Sequence, residues 1–226
     1  DNENDADGCE EPCDGANGEI DHPDIDGVDS NCDGIDGMID RAIFVSKDGN
    51  DNAAGDMAHP VKTLTRGIAL AQEHNPVFEV YVAAGDYNER VYLSAGVHLY
   101  GGFEAQTWTH APGIFTTRVK KTTPDGGGTR SLIADTVDAE TIVAGFTIEA
   151  AGNGEASGNA VAVTVINSSG PIRFDDDHIV AGSGGSGLPG LNGDPGAPGG
   201  SGIHGNNGCQ YDDCTLCLLC GTCNRP

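Results

Sequence analysis

Short apolar alternations, each cut off within a few residues, constrain this chain more than any other feature. Between residues 80 and 182 they recur as Val80/Val82, Val91/Leu93, Val97/Leu99, Ile142, Phe146/Ile148, Val161/Val163/Val165, Ile172/Phe174 and Ile179, interrupted by Gly, Asn, Asp or Ser. No 11-residue window there keeps an i, i+3, i+4, i+7 apolar face, so the pattern is that of strands and not of helices. The later segments return at spacings in the high teens to twenties, the period of stacked supersecondary units. One strand of each unit pairing with its counterpart in the next predicts parallel sheets around an interior of Val, Ile, Leu and Phe. The expected fold is all-β, a right-handed parallel β-helix of about six rungs; its rival is an antiparallel sandwich with turns every 8–12 residues.

Composition divides the chain further. Of its 35 acidic residues, 15 lie in residues 1–40, which contain no Lys or Arg, and the net charge is −24. Such a field repels nucleic acid and anionic membrane and attracts cations. No apolar run approaches 18 residues, so no membrane span is expected. A chain that starts at Asp1 without a leader reads as already processed. Eight Cys, few Lys and much Gly, Asp and Asn suit an oxidising, calcium-rich location, outside the cell or on its surface. The expected divisions are an acidic calcium-binding module (1–43), the β-helix (44–182), a Gly-X-Y arm (183–208) and a cysteine-rich tail (209–226).

Residues 24–40 carry the sharpest chemistry. Asp29, Asn31 and Asp33 occupy positions 1, 3 and 5 of a loop, Gly34 sits at position 6, Ile35 offers a backbone carbonyl, and Asp40 closes position 12. This spacing wraps hard oxygen ligands around one Ca²⁺ ion, and Asp24 and Asp26 are candidates for a second ion sharing Asp29. The competing reading is a solvated acidic linker. The residues Asp24, Asp26, Gly27, Asp29, Asn31-Cys32 and Asp33-Gly34 resemble thrombospondin type 3 repeats and the acidic calcium modules of bacterial surface proteins. That resemblance implies calcium-dependent folding and no catalysis.

Next come a strand at residues 44–46 and a helix capped by Thr63. Leu64, Ile68, Leu70 and Ala71 mark its apolar side until Asn75-Pro76 stops it. The helix would cover the first end of the stack. Phe44-Val45-Ser46, Asp48-Gly49-Asn50-Asp51, Pro60, Lys62-Thr63-Leu64, Ala83-Gly85-Tyr87-Glu89 and Leu99-Tyr100-Gly101-Gly102 together look like the N-terminal rungs of pectate-lyase-like β-helix proteins. The resemblance implies fold and leaves function open, because that fold hosts lyases, hydrolases, adhesins and scaffolds.

One cluster invites a catalytic reading: Arg173 with Asp175, Asp176, Asp177 and His178. If Ile172 and Phe174 point inward, Arg173 and Asp175 share the outer face, where an acid pair beside Arg and His suits general acid–base work. The alternative is a turn in which each Asp bonds its own backbone. No second carboxylate cluster stands at a neighbouring rung, so no enzyme is expected. Trp108 reads as a plug between a loop and the stack.

Glycine recurs at every third position from Gly184 to Gly208, with Pro189, Pro195 and Pro198 in third places. This collagen-like pattern predicts polyproline II, packed against this or another molecule, free as a linker, or wound as a trimer. Cys209, Cys214, Cys217, Cys220 and Cys223 close the chain, and Cys9, Cys13 and Cys32 precede the stack. The tail spacing resembles an iron–sulfur ligand run, but that pattern needs three residues before the last Cys and Pro after it, where Asn224 stands; zinc is a further alternative, and an oxidising location selects disulfides. Both groups are odd in number, so full oxidation requires a bridge between them, within one chain or between chains. The expected function is a secreted, calcium-stabilised structural protein that self-assembles head-to-tail into a filament or surface layer. The alternatives are a polysaccharide-binding or polysaccharide-cleaving β-helix and a monomeric adhesin domain.

Overall fold

The computed structural model describes residues 20–124 and 128–205. Alternating branched and aromatic residues form strands β1 (Ala42–Val45), β2 (Glu79–Ala83), β3 (Gly85–Tyr87), β4 (Val91–Tyr92), β5 (Leu99–Phe103) and β6 (Thr117–Lys121). They continue as β7 (Gly128–Asp135), β8 (Thr141–Ala144), β9 (Phe146–Ala150), β10 (Asn159–Ile166), β11 (Ile172–Asp175) and β12 (His178–Val180). One helix, α1 (Leu64–Gln72), is found among the described residues. The first sheet runs β1-β2-β5-β8-β11, the second β3-β6-β9-β12 and the third β4-β7-β10. Every pairing between these strands is parallel, which rules out the antiparallel sandwich.

From β2 onward the chain visits first, second and third sheet in fixed rotation, and each strand lies beside its counterpart from the previous circuit. The spacing differs from the expected high teens to twenties. Thr141 pairs with Ile172, Thr147 with His178 and Leu132 with Val163, all 31 positions apart. Of the strand pairings only that of β2 with β5, as at Val80–Leu99, falls in the short range, and Leu99 pairs with Val143 across an inserted loop. Three strands make a circuit, so a full turn takes more residues than one alternation suggests. Among the described residues the longest sheet has five strands, against the six or so levels anticipated.

Single left-handed residues turn the chain at the corners. Gly145 (φ 76°) links β8 to β9, and Asp176 (φ 52°) does the same one level on. At Gly145 glycine is also required by contact, since a Cβ would lie 3.0 Å from the Gly101 carbonyl oxygen. Inside, Val45, Val80, Val82, Leu99, Val119, Leu132, Val143, Phe146 and Ile148 form one column. Ile142 was expected to face inward; Val143 does so instead, and Ile142 packs on the outer face. Ile172 and Phe174 pack against the column as anticipated, whereas Val165 and Ile179, on the last level, are about half exposed.

Among the described residues β1 has no companion strands in the other two sheets, and α1 fills that level. Leu64, Gly67, Ile68, Leu70 and Ala71 are its buried side, and Gly67 lets it approach Val45 so closely that a Cβ would stand 2.6 Å from that side chain. At the far end, residues 183–186 lie along the segment before β10: the amide of Asn153 donates to Ser183, that of Ser157 to Ser186, and that of Gly185 to Gly158. The chain forms two compact units, 1–188 and 189–226. Of the second, residues 189–205 are exposed and form no helix or strand.

Candidate functional site on the outer face of the first sheet

Alternation that buries Val80, Val82, Leu99 and Val143 sends Tyr81, Ala83, Tyr100, Ile142 and Ala144 to the other face. On the lower levels that face is aromatic. Tyr81 stacks on Phe103 with ring centroids 5.0 Å apart, and Phe44 meets Trp108 edge-on at 4.7 Å. Trp108 is buried there, as anticipated for a plug.

Part of the acidic segment covers these rings, with Ile35 in the same cluster. The Met38 amide donates to the Tyr81 hydroxyl at 2.8 Å, which itself donates to Glu79. Gly37 (φ 122°) admits the contact, because a Cβ would sit 2.4 Å from the Tyr81 oxygen. Two histidine–carboxylate pairs fasten the cover. His22 Nδ1 is 2.6 Å from Glu79 Oε1, and this bond raises the His22 pKa above its ordinary value. Asp36 Oδ2 is 2.5 Å from His110 Nδ1, and His110 Nε2 donates to the Gly101 carbonyl at 2.9 Å. A carbonyl only accepts, so Nε2 carries a proton and the pair shares one more between Nδ1 and Oδ2. Burial pushes the Asp36 carboxyl up, against the opposing pull of His110. Sequence reading missed Asp21, Asp36, Glu79 and His110, because the contacts Asp21–Gly37, His22–Glu79 and Asp36–His110 span 16 to 74 positions.

Above the covered region the face opens into a cleft of about 680 Å³. Tyr100, Ile142 and Ala144 line it, together with His22, Pro23, Asp24, Ile25 and Pro112. Arg173 donates to Asp175 at 2.7 Å in this cleft, on one face as the alternation predicts. The rest of the acidic cluster separates. Asp177 Oδ1 accepts the Phe146 amide at 2.7 Å, and burial raises its pKa to about 7. Its Oδ2 is buried without a hydrogen-bond partner. His178 pairs with Thr147 in the second sheet. The cleft thus offers one guanidinium beside acids and an apolar floor; Asp175, Asp177 and His178 stand in three different settings. On the second sheet, Arg118 bridges Asp86 and Glu149, and Lys120 also holds Glu149.

In the proposed calcium loop, the carboxylate of Asp29 accepts the amides of Asp33 and Gly34, and Asn31 Oδ1 accepts that of Asp33. Asp33 accepts the amides of Ile35 and Ile39, and Asp24 those of Asp26 and Gly27. Asp40 is exposed and the Ile35 side chain is buried. Among the described residues, no three His, Cys, Asp or Glu side chains gather closely enough to hold a metal ion. Asp21, not foreseen, accepts the amides of Ser30 and Gly37 from the inner side, and burial raises its pKa. Cys32 is disulfide-bonded; the other seven cysteines lie outside the described residues. Among the described residues no helix is long and apolar enough to cross a membrane.

A family model described as a protein of unknown function (DUF1565) matches residues 47–206. No curated protein and no solved structure matches the chain.

Proposed function

The chain belongs to the DUF1565 family, which is associated with parallel β-helix proteins, and from that premise we propose a secreted structural protein built as a short right-handed parallel β-helix. It is stabilised by calcium at its front and assembles head-to-tail, with disulfides, into an extracellular filament or surface layer. The observation that carries this reading is the inequality of the two ends. α1 closes the level of β1, while the last level leaves Val165, Ile166, Ile179 and Val180 exposed along strands with no further neighbour among the described residues. Two different ends meet in a heterologous contact, the kind that propagates instead of closing on itself. Unpaired strand edges bearing apolar side chains are what such a contact consumes.

Calcium fits the acidic loop by donor chemistry. Asp29, Asn31 and Asp33 already curve around the loop amides, and left-handed Cys32 and Gly34 shape that arc. The ion would take oxygens from these residues and from the Ile35 carbonyl, with Asp40 drawn in to close the shell and Asp24 and Asp26 serving a second ion.

The test is electron microscopy and light scattering of the purified chain, with and without reductant, beside Ile179→Lys. Ile179 is 46% exposed, so the lysine leaves the melt within about 0.5 kcal/mol of the parent. End-to-end filaments are expected to disappear in the variant. Filaments that tolerate both the lysine and the reductant would sink the end-to-end reading.

A further inference from the structure

Glycines recur at every third position of the arm, and neither their own dihedral angles nor the described residues account for them. Most described glycines before Gly187 stand where φ is positive, as at Gly145, or where another atom crowds the Cα, as at Gly185, whose Cβ would collide with the Glu155 carbonyl; Gly113 and Gly154 are isolated exceptions. From Gly187 to Gly205 neither reason operates: none of these glycines has a positive φ, and a Cβ on any of them would meet nothing within 4 Å. Alanine would serve as well there and would cost less conformational entropy on ordering. Yet the period holds through Gly187, Gly190, Gly193, Gly196, Gly199, Gly202 and Gly205.

The same stretch exposes Leu188 by 72%, Leu191 by 100% and Ile203 by 99%. It forms no helix or strand, and no backbone hydrogen bond is found within residues 187–205. A polyproline II strand makes no internal hydrogen bonds, and the arrangement that requires glycine at every third position is three such strands around one axis, where no side chain fits. Pro189, Pro195 and Pro198, all in third places, preset φ for it.

We propose that residues 187–205 of three copies of this chain wind into a short triple helix, so that the arm is a trimerisation element. The partner is two further copies of the same chain. This goes beyond the stacking of bodies and does not rest on it: the arm joins chains laterally, whatever the last level of strands does.

The experiment compares the full chain with Gly193→Ala/Gly196→Ala, measuring mass by sedimentation in the cold and far-ultraviolet circular dichroism on warming. The expected parent has three times the chain mass, or a multiple of it, and loses a polyproline-type band cooperatively on warming. In the double variant the threefold association and the band are lost, while the main unfolding transition of the body is unchanged. Ile179→Lys, which tests the stacking of bodies, leaves the trimer intact. A parent of single-chain mass, or an assembly whose mass the two alanines leave unaltered, overturns the proposal.

Discussion

Asp177 shows how one residue acquires a property its type does not have. It lies one position beyond the left-handed corner at Asp176, accepts the Phe146 amide through one oxygen, and buries the other without a partner. Desolvation raises its pKa from 3.8 to about 7. The folded state therefore keeps a proton that the unfolded chain releases near pH 4. Between about pH 4 and 7 this residue makes stability fall as pH rises, and above that range its contribution is flat. Asp177→Asn retains an acceptor for Phe146 and removes the charge. It is expected to match the parent at pH 4 and to exceed it by about 1–3 kcal/mol at pH 8 in urea denaturation. An identical pH profile in parent and variant would show that the carboxyl ionises normally.

At the scale of the element, α1 separates what is local from what is not. Thr63 was legible as its cap: the hydroxyl accepts the Arg66 amide at 3.2 Å, and the apolar side Leu64, Ile68, Leu70 and Ala71 is the buried one. Two further carboxylates hold the same terminus. Asp51 Oδ1 accepts the amides of Lys62 and Thr63, both at 2.9 Å, and Glu89 accepts those of Leu64 and Thr65. Anions at a helix N-terminus satisfy open amides and oppose the positive end of the dipole. No local pattern announces them, since they arrive from 11 to 25 positions away. Asp51→Ala leaves two amides unpaired and is expected to cost about 1–2 kcal/mol in thermal or urea unfolding. A loss as small as that of an arbitrary surface substitution would show that water replaces the aspartate.

For the whole molecule, the acidic front and the aromatic face beneath it form one mechanical unit. His22–Glu79, Asp36–His110 and Met38–Tyr81 tie the front to the first sheet, and the only tryptophan of the chain lies in the cluster below. Calcium held at Asp29, Asn31, Asp33 and Asp40 would bind the folded form alone. At a free concentration 100 times the dissociation constant it adds about 2.7 kcal/mol, or about 5–10 °C for a chain of this size. Chelation should lower the melting temperature by that amount and shift Trp108 emission to the red at lower temperature. A melt indifferent to chelator would end the calcium reading.

The sequence by itself determined the strand character of residues 80–180, the cap and buried side of α1, and the shared face of Arg173 and Asp175. All three follow from neighbour-to-neighbour periodicity, which the backbone repeat imposes directly. Only the tertiary structure decided which counterpart each strand meets, because the circuit closes through corners and loops whose lengths vary, as between Leu99 and Val143. It also decided that Val143 and not Ile142 enters the core, a shift of one residue that exchanges the two faces. And it decided that the acidic front lies across the rings of Tyr81 and Trp108, a contact that becomes visible once distant segments have packed together.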